Sequence, residues 1–208
     1  MSENTSKKRK LSLPLVLAGG VSSLVLALGM SPTFSAFTAS IVNNANTAGT
    51  GTVSMQETTG TGTGPNSCSS GLGTANCSTI NKYGGSTSLT PTAGSNTSTT
   101  TVTITNTGTV TPQTFSLTAG NCVSSAIGTV AGTGDLCTKL NVKITTGTTT
   151  VTTVYDGLAS ALTGAKTLVP MAPNTATAYT FVVSLPTTLD NSYQGLQAAQ
   201  TLTWTFSA

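Results

Sequence analysis

The sequence predicts an all-β fold, a single-domain antiparallel jelly-roll-like sandwich of about eight strands, on three observations. Apolar residues alternate with polar ones in short runs from Phe37 to Phe206, the period that puts every second side chain on one face of a strand. Gly, Asn and Pro punctuate these runs, and no long stretch repeats at the helical period. Only 6% of the residues are charged, against about 25% in an ordinary soluble domain. Thr, Ser, Gly and Asn take their place, which suits strands with a hydroxylated solvent face.

In chain order, residues 1–35 read as a secretory signal peptide. Lys7, Lys8, Arg9 and Lys10 precede an uncharged apolar stretch from Leu11 to Met30. Thr33 and Ser35 supply the small residues that cleavage before Ala36 needs; cutting after Ala36 fits nearly as well. An uncleaved membrane anchor is the rival, since about twenty apolar residues cross a bilayer, but Pro14, Gly19, Gly20, Ser22 and Ser23 weaken the stretch. The net charge of +3 belongs to this leader. Residues 36–208 balance Lys82, Lys139, Lys143 and Lys166 against Glu57, Asp135, Asp156 and Asp190, so no nucleic-acid partner is expected.

The remainder, 36–208, has the length of one domain with a full core. Its first strand is expected at Phe37, Ala39 and Ile41, followed by an uncharged hinge that ends near residue 48. Further strands are expected around Val53 and Met55, Val102 and Ile104, Phe115 and Leu117, and Leu140, Val142 and Ile144. A weaker one lies in "TTTVTTVYDG"; Tyr179 to Leu185 makes the longest, and Leu202, Trp204 and Phe206 the last. "NTGTV" at 106–110 reads as a hairpin turn, and only "GLASALTGA" (157–165) and "DNSYQG" suggest a helical turn.

Cys68, Cys77, Cys122 and Cys137 form an even set in an exported chain, so disulfides are expected. Four cysteines allow three connectivities; the local one, Cys68 with Cys77 and Cys122 with Cys137, would staple two loops that lack strand patterning. The Thr-rich segment 58–81 then reads as an irregular loop held by its disulfide. With no C-x-x-C pair and no histidine, a zinc site is not expected.

The same lack of histidine removes the usual base of Ser-His-Asp and Cys-His hydrolases, and no phosphate loop or dinucleotide fingerprint is present. The four carboxylates at Glu57, Asp135, Asp156 and Asp190 are far apart in sequence and read as turn or solvated-face residues. No catalytic residue, metal or cofactor is therefore expected. Trp204 alternates with Leu202 and Phe206, which assigns it to the inward face of the last strand and not to a sugar-binding platform.

Two stretches carry a resemblance. "FSAFTASIVNNANTAGTGTVSMQ" after the leader and "LPTTLDNSYQGLQAAQTLTWTFSA" at the C-terminus resemble the TasA and camelysin family of secreted surface proteins. The likeness is most specific at the aromatic after the cleavage site and at Asp190, Asn191, Tyr193, Gln194 and Gly195. It implies a jelly roll, export with trimming by a dedicated signal peptidase of the SipW type, and biofilm-matrix fibres built by donor-strand complementation. In such fibres the N-terminal strand of one subunit completes the sheet of the next. The metalloprotease activity ascribed to camelysins is not carried over, because no histidine is present.

Residues 36–56 hold no Pro, and their first charge is beyond them at Glu57. Proteins that keep edge strands from pairing place such residues there, so Phe37, Ala39 and Ile41 are expected to form a polymerisation strand. The expected protein is a non-enzymatic subunit of extracellular surface or matrix fibres, a head-to-tail homopolymer with room for other matrix components. The alternative is a monomeric cell-surface module that binds polysaccharide or a host ligand.

Overall fold

A computed structural model of the chain describes residues 47–59, 66–85, 89–147 and 149–208. Gly49–Ala208 forms one compact unit and contains every described strand. The signal peptide and the leading strand at Phe37, Ala39 and Ile41 lie outside the described residues.

The architecture is an all-β antiparallel sandwich. Strands β1 (Met55–Thr59), β2 (Asn66–Ser69), β3 (Thr97–Asn106), β4 (Thr114–Ala126), β5 (Asn141–Thr146), β6 (Thr152–Leu158), β7 (Gly164–Leu168), β8 (Ala176–Ser184) and β9 (Leu196–Ser207) form two sheets. Six strands lie in the order β2-β1-β3-β8-β5-β6 and three in the order β7-β4-β9. The core lies between the two, because the alternating apolar rows turn inward from both. Val102 and Ile104 of β3, Val142 and Ile144 of β5, and Tyr179, Phe181 and Val183 of β8 meet Phe115 and Leu117 of β4, all buried. Thr99, Thr101, Thr103 and Thr105 fall on the opposite face of β3, where Thr101 and Thr180 share a side-chain hydrogen bond of 3.0 Å with the neighbouring β8.

Three expectations are corrected here. "NTGTV" is no hairpin, since β3 and β4 belong to different sheets. It crosses between the layers, and its backbone pairs with residues 52–54 through Thr107 N to Ser54 O at 3.1 Å and Thr109 N to Thr52 O at 2.9 Å. Buried Asn106 fixes the crossing: its amide donates to Val110 O and Met171 O and accepts from Gly108 N. A Cβ at Gly108 would come within 2.3 Å of Thr52 O, so only glycine lets the two segments approach.

The helical turn expected in 157–165 is present, flanked by strand on both sides. A short 3-10 turn, Ala159–Ala161, is followed by β7, whose Lys166 and single buried Leu168 give too little alternation to read. The segment 58–81 contains β2, whose four residues include one half-buried side chain, Cys68. The disulfides join Cys68 to Cys77 and Cys122 to Cys137, the local pairing, yet they do not staple two loops. Cys68 is in β2 and Cys122 in β4, so each bridge ties a following segment to a strand. The turn expected in "DNSYQG" is the 3-10 turn Asn191–Tyr193.

Candidate functional site

Among the described residues, six strands form one sheet and three the other. In the smaller sheet β4 is central and β9 is an edge, and among the described residues β9 pairs with β4 alone. The inward row of β4, Phe115, Leu117 and Ala119, is buried. The matching row of β9, Leu196, Ala198, Gln200, Leu202, Trp204 and Phe206, is only half-buried throughout. Beyond that edge runs a groove of about 1280 Å³, lined along β9, by Met55 and Glu57 of β1, and by Ile80, Lys82 and Tyr83 of the segment after β2.

The groove is lined by polar and apolar residues in comparable measure, and its floor holds one buried charged cluster that the sequence reading did not find. Lys82 Nζ lies 2.8 Å from Glu57 Oε1, with 8% and 7% of the two side chains exposed. The Trp204 indole donates to the same oxygen at 2.9 Å. This overturns the assignment of Glu57 to a turn or solvated face. The signal was present in its phase: Glu57 follows Met55 by two residues, and its strand partner is buried Ile104. Lys82 has no such signal, because it sits in an irregular segment. A buried ion pair needs close geometry to offset desolvation, and here the indole supplies the additional hydrogen bond.

Trp204 does face inward. Its ring lies 5.8 Å from Phe115, 4.9 Å from Tyr179 and 6.3 Å from Phe181, with its outer edge open to the groove. Gln200, the polar member of the β9 row, is oriented by three carbonyls. Its Nε2 donates to Gly120 O at 2.7 Å, Leu162 O at 2.6 Å and Ala159 O at 3.3 Å. Its Oε1 is thereby turned to the Tyr83 hydroxyl, which donates to it. Burial, and then the nearby Tyr155, push the Tyr83 phenol well above its ordinary value.

At the start of β9 stand Asp190, Asn191, Tyr193, Gln194 and Gly195, a tight corner of the fold. Asp190 Oδ1 accepts from Ser192 N at 2.8 Å and caps the 3-10 turn. The Ser192 hydroxyl and amide hold the Asp190 carboxyl below its usual range. Gly195, at φ +65°, packs where a Cβ would meet Val130 O at 2.3 Å. Its carbonyl accepts from Ile127 N at 2.7 Å, and Gln194 O accepts from Gly132 N at 2.7 Å. Asp190, Tyr193 and Gln194 also line one end of the groove, so the corner anchors the strand that borders it.

The other carboxylates stand apart from the cluster. Asp135 caps the 3-10 turn Leu136–Thr138 through Cys137 N at 3.0 Å, and Asp156 pairs with Lys143 at 3.2 Å in the open. No group of three metal-ligating side chains occurs among the described residues, and none of their helices is long and apolar enough to cross a membrane.

What the arrangement can do follows from its edge. Along the outer side of β9 every second residue offers a main-chain N–H and C=O, above an apolar trough that an alternating strand would fill. Compared with known proteins, the chain matches no family model and no curated protein.

Proposed function

We propose that this chain is an extracellular structural protein, a subunit of surface or biofilm-matrix fibres in which one copy's leading strand, residues 36–44, completes the smaller sheet of the next. The observation that carries the reading is the edge of β9, which among the described residues pairs with β4 alone and borders a groove with an apolar inward row. The occupant is argued from chemistry. Residues 36–44 alternate apolar and polar, carry no charge and contain no Pro, which matches a groove whose buried charges, Glu57 and Lys82, are already paired with each other. The hinge that follows, rich in Asn and Gly, gives the strand reach.

Addition of a strand gains affinity from main-chain hydrogen bonds and specificity from alternate side chains. Phe37, Ala39 and Ile41 supply the apolar row. The resemblance of both ends of the chain to the TasA and camelysin family supports the same assembly. Two disulfides are typical of an extracellular protein and agree with the leader sequence. The role is non-enzymatic: the chain has no histidine, and the buried carboxylate of the groove is engaged by Lys82 and Trp204.

Negative-stain electron microscopy of the purified mature protein tests the reading. Fibres whose repeat is one domain are expected. Uniform monomers at all concentrations, with binding to a polysaccharide, would support the surface-module alternative.

A further inference from the structure

The groove carries one buried charged subsite, and the leading segment carries one polar residue in phase to meet it. Glu57 Oε1 takes both Lys82 Nζ at 2.8 Å and Trp204 Nε1 at 2.9 Å. A carboxylate has a second oxygen and an ammonium three N–H groups. Beyond these contacts no side-chain hydrogen bond joins Glu57 or Lys82 to another described residue, and since no buried polar atom is left unpartnered, their remaining polar atoms face the open groove. A carboxamide supplies both complements at once, because its NH₂ donates to a carboxylate and its C=O accepts from an ammonium. Continuing the two-residue phase of Phe37, Ala39 and Ile41 brings Asn43 onto the same face.

Resting on the strand-donation reading above, we infer that the Glu57–Lys82 pair is the register-setting subsite of the groove, and that it receives the side-chain amide of Asn43 from a second copy. This register also fixes direction. A strand rises about 3.3 Å per residue, so Phe37 to Asn43 spans about 20 Å. Past Trp204, β9 has only Thr205 to Ser207, whereas Leu196 lies eight positions back. The incoming strand therefore runs parallel to β9, with Ile41 beside Leu202, Ala39 beside Gln200 and Phe37 beside Ala198. The sizes fit this order, since the bulky Phe37 falls next to the smallest side chain of the row, and the small Ala39 next to Gln200, which Tyr83 braces.

Peptides avoid variants that fail to fold. A fluorescently labelled peptide of residues 36–46 is titrated into the full-length mature Ile41→Asp protein, whose own leading strand is not expected to assemble and whose groove is therefore free, and followed by anisotropy. The Asn43→Leu peptide is expected to bind about tenfold more weakly, since it leaves the buried pair unmatched. The Asn44→Leu peptide, altered on the other face, is expected to bind as the parent does. A photo-reactive phenylalanine at position 37 is expected to cross-link around Ala198. Equal binding of the parent and Asn43→Leu peptides, a loss confined to Asn44→Leu, or cross-links at Phe206 would overturn the register while strand donation stands. No binding by any peptide would overturn strand donation itself and the register with it.

Discussion

At the scale of single residues, the informative feature is that the groove's charged pair is bonded within itself. Removing Lys82 alone would leave Glu57 buried and uncompensated. Lys82→Met is expected to cost about 3–5 kcal/mol in denaturant unfolding. Adding Glu57→Gln should recover most of that loss, because the amide oxygen still accepts from Trp204 and no charge remains. Tyr83 supplies a pH test. Its folded phenol titrates above the ordinary value of 10.0, so its contribution is fully present below that pH and is lost as pH rises beyond it. The wild-type protein should lose stability above pH 10 through ionisation of the buried Tyr83 phenol more steeply than Tyr83→Phe, which has no proton to lose; parallel melting curves in alkali would contradict this.

At the scale of elements, legibility followed the number of alternating apolar residues that each strand commits to the core. The row of β8, Tyr179, Phe181 and Val183, and that of β5, Val142 and Ile144, are buried and stand out in the sequence. The strands β2 and β7 were missed because each contributes about one inward side chain. "NTGTV" misled for a different reason: turn chemistry is local, while the choice of sheet is made by the buried Asn106 and its contacts to Val110 and Met171. The groove was invisible as such. Among the described residues it borders β9, an edge that pairs with β4 alone, a property of pairing order that no local pattern records. The bridge Cys122–Cys137 closes a separation of 15 residues and holds the turn Leu136–Thr138 against β4. Replacing both cysteines with Ala should cost about 3 kcal/mol, measured as a fall in the urea midpoint. A loss near zero would mean that Leu136 and Leu140 hold that turn by packing alone.

At the scale of the whole molecule, a sandwich with an unpaired edge has two stable outcomes, a covered edge or a partner. Deleting residues 36–44 is expected to leave a folded monomer that no longer polymerises, because all nine described strands remain. Adding the free peptide should raise its melting temperature by mass action. Ile41→Asp is expected to stop assembly with the domain intact, since it drives a carboxylate into an apolar groove. Unfolding of the deleted protein without rescue by peptide would instead make the leading strand part of its own sheet. The most direct measurement is a cryo-electron-microscopy map of the assembled mature protein at a resolution that traces strands. The expected map shows one additional strand along the outer edge of β9, continuous with residue 49 of the neighbouring subunit. A strand there that joins residue 49 of the same subunit, or fibres in which the β9 edge stays bare, would contradict the account.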